Sequence, residues 1–133
     1  MGRAESAVRS QEKAIKRLRE FLRDAAKLCE QRGLKLIDAY LVGSRARGDY
    51  LDESDIDVVL IIDGVQRMNR LQRIELLSRA LKPGIDLLIY TPEEWNSDLI
   101  WIKELRREAR QIRKLLASNY NDLSLGISSS KLT

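Results

Sequence analysis

The chain has 133 residues, a formal net charge of +4, 33% charged residues, no histidine and a single cysteine. This length suggests one domain with a modest core, and so small a net charge does not by itself favour a nucleic-acid-binding protein. The composition excludes imidazole as a general base or zinc ligand and excludes an internal disulfide, and the lack of a signal peptide or a bilayer-length apolar run predicts a cytoplasmic protein without a membrane partner.

The first predicted element is an amphipathic helix from about residue 8 to 32. Its apolar residues recur in steps of three and four, at Ile15, Leu18, Leu22, Ala25 and Cys29. Because Cys29 lies on this stripe, a buried and inert thiol is favoured over a reactive one. Gly33 provides a natural end to the helix.

The next segment, Lys35–Val42, is apolar and predicts a β-strand that ends at a glycine–serine turn. Gly43 lets the backbone turn sharply and approach a ligand closely. Ser44 can begin a helical turn whose free N–H groups and hydroxyl bind an anion. Arg45 and Arg47 add guanidinium groups that suit phosphate oxygens. The turn is a candidate phosphate site, although an ordinary strand-to-helix turn with solvated arginines explains it as well.

Two aspartates, Asp55 and Asp57, begin the second predicted strand, which runs to Ile62. Side chains alternate across a strand, so the two carboxylates share one face, roughly 6.5–7 Å apart along the backbone. Their repulsion would raise a pKa, and Mg²⁺ relieves it, because this ion prefers carboxylate oxygens completed by water and substrate phosphates. Two solvated aspartates at a strand entrance are the alternative, but the preceding turn favours a metal site.

A helix over about 66–81 is predicted to cross over to a third strand, Ile85–Tyr90. The residues expected to face inward are Met68, Leu71, Ile74 and Leu77. Asp86 is a charge in an otherwise apolar strand, which is costly unless it is paired, solvated or bound to metal. If this strand lies beside the Asp55 strand, Asp86 joins the same carboxylates and accepts the proton of an attacking hydroxyl or orients that hydroxyl. An edge-strand charge is the alternative.

The segment after the third strand opens with a helix start signal. Thr91 is the expected N-cap, Pro92 lies in the first turn and Glu94 reaches back to the cap. Trp95 is expected to pack at the sheet edge. A longer helix is predicted from about 98 to 118.

The long C-terminal helix is predicted from a three–four apolar seam. Its members are Ile102, Leu105, Ala109, Ile112 and Leu116. Packing on the domain's own core is favoured, and a helix pair with a second subunit stays open. The flank of this seam carries Lys103, Arg106, Arg107, Arg110 and Arg113. Such a face is usually solvated, but it could also dock an acidic partner or RNA. Residues 119–133 lack apolar periodicity and predict a flexible tail.

The motifs together resemble a known family. The order Gly43-Ser44, ten residues, Asp55-Ile56-Asp57 and a later strand aspartate is similar to the nucleotidyltransferase superfamily of DNA polymerase beta. The sequence Gly-Ser-Arg-Ala-Arg-Gly over residues 43–48, followed by Ser-Asp-Ile-Asp, resembles the motif of the small prokaryotic branch of this superfamily, the minimal nucleotidyltransferases. The similarity covers roughly residues 36–94.

The resemblance implies a fold of the α/β (α+β) class, with one nucleotidyltransferase domain over residues 1–118 and a catalytic core over about 35–94. The expected architecture is a small mixed β-sheet of three or four strands with helices packed on one face. The carboxylates would lie on, or at the edge of, the other face.

The resemblance also implies a reaction, Mg²⁺-dependent transfer of AMP from ATP to a hydroxyl. Asp55 and Asp57 would bind two Mg²⁺ ions, and Asp86 would bind the ion that activates the acceptor. The acceptor oxygen would attack the α-phosphorus in line, with pyrophosphate leaving, because two metals can stabilise both the attacking and the leaving oxygen.

The same resemblance assigns the turn to the triphosphate. Gly43 and Ser44 would hold the β- and γ-phosphates, and Arg45 or Arg47 would balance the triphosphate charge, with the choice between the two arginines left open. A small chain without a second module to grip a base or primer favours a partner that brings its own acceptor.

In this branch the implied partner is a helical toxin of the HEPN family, modified on a tyrosine hydroxyl, so the chain would act as an antitoxin. Two alternatives stay open. One is a non-catalytic protein that binds nucleotide and partner, and the other is a transferase acting on RNA or a small molecule. A homo-oligomer is possible, and nucleic acid is possible but not favoured.

Overall fold

Residues 3–119, the part of the chain that the computed structural model describes, alternate between helices and strands. In chain order the elements are α1 (Arg3–Gln31), β1 (Lys35–Val42), α2 (Gly43–Arg47), β2 (Ile56–Asp63), α3 (Arg70–Leu76), β3 (Ile85–Tyr90), α4 (Pro92–Trp95), α5 (Ile100–Glu108), β4 (Arg110–Gln111) and α6 (Ile112–Asn119). The predicted tail, apart from its first residue, lies outside the described residues. None of the helices within residues 3–119 combines the length and apolar character needed to cross a bilayer.

The four strands form one mixed sheet in the order β3-β2-β1-β4. β1 runs antiparallel to β2 and to β4, whereas β2 and β3 are parallel and are joined by the crossover that contains α3. The predicted fold class is confirmed. The register places Asp57 of β2 between Val42 of β1 and Asp86 of β3.

One face of the sheet carries the larger core. Its strand residues include Val58, Leu60 and Ile62 of β2, all fully buried. The apolar stripe of α1 packs here through Ala14, Leu18, Phe21, Leu22, Ala25 and Cys29. Leu76 of α3 and Leu116 of α6 belong to the same core, so helices pack on this face as expected. Burial raises the pKa of the Cys29 thiol to about 11, which keeps it protonated and unreactive.

The opposite face, which carries Asp57, is also partly covered. Trp95 of α4 and Ile102 of α5 pack there on Val59 and Ile61. Trp95 was predicted at the sheet edge, and that position is wrong. Its ring lies over the sheet face, with its centroid 5.0 Å from that of Tyr40 on β1 and 6.2 Å from that of Tyr90 on β3. A ring this large is buried best where it can contact the strands on either side of β2.

The prediction of one helix from about 98 to 118 is wrong. α5 ends at Glu108, Ala109 is extended with φ −65° and ψ 135°, and β4 pairs with the Tyr40–Leu41 edge of β1. Only then does α6 begin.

The interruption follows from where the apolar seam is buried. Ile102 packs on the face that carries Asp57, with Leu105 and Ala109 beside it, whereas Ile112 and Leu116 belong to the core on the other face. A straight helix cannot reach both faces, so the chain passes round the sheet edge at β4. The predicted basic flank is divided by the same crossing, and two of its five arginine and lysine side chains bind within the domain: Arg106 donates to the carbonyls of Trp95 and Ser97, and Arg113 lies near Asp38.

The helix predicted over 66–81 is shorter in the structure. Asn69 caps α3 in a reciprocal capping box with Gln72, and residues beyond Leu76 form turns. Leu77 is buried as predicted, but Leu71 is 64% exposed, which corrects its inward assignment. Arg73 is buried instead, because its guanidinium donates to two backbone carbonyls and to both carboxylate oxygens of Glu94.

Candidate functional site

The glycine–serine turn begins α2 directly after β1. Gly43 has φ +73°, the left-handed value that a sharp turn requires. A Cβ atom built on Gly43 would lie 2.1 Å from Oδ2 of Asp57. The turn therefore packs against the Asp57 carboxylate so closely that residue 43 has no room for a side chain.

Asp57 and Asp86 meet at one surface cavity beside this turn. They are opposite partners in the parallel β2–β3 ladder, and adjacent strands lie about 4.8 Å apart. The cavity has a volume of about 200 Å³ and is lined by Val42, Gly43, Asp57, Val58, Asp86, Leu88, Leu105 and Glu108. The predicted proximity of an aspartate on the second strand and the aspartate on the third strand is thus found in the structure, for Asp57 and Asp86.

The carboxylates at this cavity repel one another. Partial burial raises the pKa of Asp57, the charges of Asp86, Asp55 and Glu108 raise it further, and Arg47 opposes the shift. A nearby cation would stabilise the ionised carboxylate of Asp57 against this repulsion.

The donor set fits Mg²⁺, which takes one or two protein carboxylates and completes its octahedron with water and substrate phosphates. Within residues 3–119, no three acidic, histidine or cysteine side chains form a closed group able to hold a metal by themselves. Asp57 and Asp86 therefore offer an open half-site whose remaining ligands would come from solvent and nucleotide.

Asp55 does not line this cavity. It precedes the first residue of β2, so strand alternation does not fix its direction, and it lines a neighbouring cavity of about 150 Å³ together with Arg45 and residues of α1. Its charge still contributes to the raised pKa of Asp57. The structure thus brings two of the three predicted carboxylates together at Gly43 and leaves the third on the adjoining surface.

The two arginines of the turn have different environments. Arg45 is buried, and its guanidinium donates to the carbonyls of Asp52 and Ser54 and to side chains of α1. Its ring contact is with Tyr50, whose centroid lies 4.8 Å from Cζ. Arg45 therefore holds the loop that leads into β2. Arg47 is half-exposed and faces the carboxylates, where it pairs with Glu108 at 2.8 Å and with Asp49 at 3.3 Å.

Glu108 is a site residue that the sequence did not reveal. Its Oε1 accepts from the Gly43 N–H at 3.0 Å and its Oε2 accepts from Nη1 of Arg47 at 2.8 Å. It falls within the helix predicted over about 98–118, 65 residues from Gly43. No signal in the sequence pointed to it, because the helix was predicted to continue to residue 118. Only the structure shows Glu108 as the last residue of α5, where an acidic side chain is unfavourable without another partner.

Comparison with known proteins identifies relatives of this arrangement. The model of the nucleotidyltransferase domain family matches residues 15–116. A protein of Methanocaldococcus jannaschii named "putative protein adenylyltransferase" is 32% identical over 75 residues, which are 56% of this chain and 73% of that protein. The crystal structure of a "putative nucleotidyltransferase" from Sulfolobus solfataricus aligns with a TM-score of 0.68 and 30% identity, covering 84% of this chain and 89% of that one.

Proposed function

The chain belongs to the nucleotidyltransferase domain family, and on this basis we propose that it transfers AMP from ATP to a hydroxyl group of a partner protein. Within the family it is of the minimal type, with the polymerase beta-like fold. The observation that carries this proposal is the register of the sheet, which sets Asp57 and Asp86 side by side on the face next to Gly43. The two carboxylates would bind the metal ion, and the adjacent turn with its cationic side chain would bind the triphosphate, so both ligands would be held at one place.

In the proposed complex the turn binds the triphosphate. Gly43 and Ser44 would hold the β- and γ-phosphates. Of the two arginines, Arg47 is the one whose guanidinium pairs with Glu108, a residue that lines the cavity. Arg45 supports the reaction indirectly, since it anchors the 52–54 loop that sets the start of β2.

Asp57, Asp86 and the nearby Asp55 would hold Mg²⁺, which supplies neutralisation of the phosphate charge and activation of the acceptor. Asp86, which is exposed, would orient the acceptor hydroxyl and take its proton. The acceptor oxygen then bonds to the α-phosphorus as the bond to the bridging oxygen of the β-phosphate breaks, and pyrophosphate leaves.

The proposed acceptor is a tyrosine of a helical HEPN-type toxin in the cytoplasm, which AMP would inactivate. Support for a protein acceptor comes from the name of the M. jannaschii relative. The test uses purified chain, Mg²⁺ and ATP labelled at the α-phosphate, with a co-encoded helical protein as acceptor. Label on the partner that survives denaturation is the expected result.

Two controls give this assay its meaning. ATP labelled at the γ-phosphate should leave the partner unlabelled, because the γ-phosphate departs with pyrophosphate. Tight partner binding without α-label would reject the transferase in favour of a binding protein, and label on added RNA instead of protein would reassign the acceptor.

A further inference from the structure

Glu108 occupies the donors that the proposed triphosphate needs. One of its carboxylate oxygens accepts from the backbone N–H of Gly43 and the other accepts from Arg47. Gly43 is the first residue of α2 and Arg47 is its last. A single carboxylate thus bridges the two ends of this short helix.

A carboxylate held by a backbone N–H and a guanidinium is chemically close to a bound phosphate. Both anions present two or more oxygens to charge-assisted donors, and guanidinium binds either in the same forked manner. Glu108 accepts from the Gly43 N–H and the Arg47 guanidinium, here called the Gly43–Arg47 seat, although it shares the cavity with Asp57 and Asp86. Two hydrogen bonds therefore offset the repulsion from the neighbouring carboxylates.

The contact can open without unfolding an element. Glu108 is the last residue of α5 and is followed by the extended Ala109, and its side chain keeps 26% of its surface exposed. Rotation about its own side-chain bonds would release both donors. Arg47 would not be left alone, because it also pairs with Asp49 at 3.3 Å.

We propose that Glu108 is an internal competitor for nucleotide phosphate, which fills the Gly43–Arg47 seat and is displaced when triphosphate binds. This inference rests on the proposed function in that the seat is taken to receive the triphosphate. Glu108 would set how tightly the pocket holds nucleotide and would keep the seat from binding weaker anions.

The test measures binding of inorganic tripolyphosphate to the full chain by calorimetry, with a chelator present so that no metal contributes. Glu108→Gln removes the charge at nearly constant volume and should tighten binding about tenfold, as expected when a charge-assisted contact no longer competes. Glu108→Ala, which empties the seat, should act in the same direction. The matched control is Asp49→Asn, which neutralises a carboxylate on the same guanidinium but leaves the Gly43 N–H unchanged.

The outcomes separate the possibilities. Tightening in both Glu108 variants, with a change below about threefold in Asp49→Asn, supports the competitor. Equal tightening in Asp49→Asn would show that the effect comes from net charge alone and would overturn the competitor proposal. Unchanged or weaker binding in the Glu108 variants would also overturn it. Circular dichroism of each variant confirms that it is folded.

The same preparations distinguish this inference from the proposed function. Tighter tripolyphosphate binding without any AMP transfer would uphold the competitor and reject the transferase. AMP transfer with unchanged tripolyphosphate binding would do the reverse.

Discussion

At the scale of single residues, Asp57 shows what the site costs the fold. It is partly buried among Asp86, Asp55 and Glu108, and its pKa is raised. A carboxyl group whose pKa is higher in the folded state destabilises the fold when it ionises, so stability falls as pH rises through the pKa of the unfolded group and then of the folded group. Functional sites commonly retain such groups at the expense of stability.

Asp57→Asn should therefore separate stability from activity. Without metal we expect its melting temperature to exceed that of the wild type by a few degrees at neutral pH, with the gain vanishing below pH of about 4, where the wild-type carboxyl is protonated. AMP transfer should be lost, because the amide is a poor Mg²⁺ ligand. Thermal unfolding against pH in chelator and the labelled-ATP assay measure the two effects.

The exposed Asp98 provides a control for this prediction. Asp98→Asn should change neither the melting temperature at neutral pH nor transfer. A wild-type pH profile in Asp57→Asn, or retained transfer, would remove Asp57 from its assigned role.

Gly43→Ala should damage both fold and site. The substitution forces a left-handed residue to carry a Cβ, at about 1–2 kcal/mol, and pushes that atom into the Asp57 carboxylate. Gly33→Ala is the matched control, since Gly33 has nearly the same φ of +70° and no atom within 4 Å of a built Cβ. Urea unfolding should show a loss of stability in both, whereas transfer should fall only in Gly43→Ala.

At the scale of elements, a buried arginine joins the crossover helix to the third strand. Arg73 of α3 donates to the carbonyls of Met68 and Ile89 at 3.0 Å and pairs with both oxygens of Glu94, at 2.6 and 3.1 Å. Glu94 also closes the predicted capping box of α4 with Thr91. One side chain therefore ties α3, β3 and α4 together behind the aspartate-bearing strands.

Glu94→Gln should destabilise the chain at neutral pH by on the order of 1 kcal/mol, a figure discounted for the partial exposure of Glu94. Arg73 lowers the pKa of Glu94, so the stabilisation is complete above the ordinary pKa of a glutamate and is lost as pH falls through the lowered value. The difference from wild type should shrink accordingly in acid, as urea unfolding at several pH values will show. The neighbouring Glu93 is exposed, and Glu93→Gln should change the free energy of unfolding at neutral pH only slightly.

At the scale of the whole molecule, the sequence predicted the parts whose signals are local. Lys35–Val42 and Ile85–Tyr90 match their predicted strands, because apolar runs bounded by glycine or proline define strands well. The glycine turn and the capping box of α4 also follow from short-range chemistry. The placement of Asp86 beside Asp57 was predicted only on the condition that the third strand lies next to the second. A crossover permits such a parallel pair, and the β2–β3 register provides it.

The features that the sequence did not predict depend on long-range contacts. To predict the crossing from α5 through β4 to α6, one would need to know that the apolar seam packs against two different cores. Periodicity alone shows only that the seam is apolar. The Glu108 contact and the burial of Arg73 depend on partners 65 and 21 residues away. Side-chain directions at the ends of strands, such as that of Asp55, are likewise outside the reach of a periodic pattern.

Ligand binding should stabilise the whole molecule. With Mg²⁺ and a non-hydrolysable ATP analogue at about 100 times Kd, we expect a gain near 2.7 kcal/mol, seen as a higher melting temperature. The gain should be reduced strongly in Asp57→Asn and kept in Asp98→Asn. A melting temperature that does not respond to nucleotide in the wild type would count against a nucleotide site.

The contact between Gly43 and Asp57 has a consequence for how such chains diverge over evolutionary time. The missing side chain at position 43 is imposed by a carboxylate on the neighbouring strand as well as by the local backbone. In a descendant that has lost the acidic group at position 57, the steric part of this demand is gone, and only a left-handed φ remains, which asparagine also tolerates. The two positions should therefore drift together, so that substitution of the glycine marks lineages that have also lost the carboxylate at position 57.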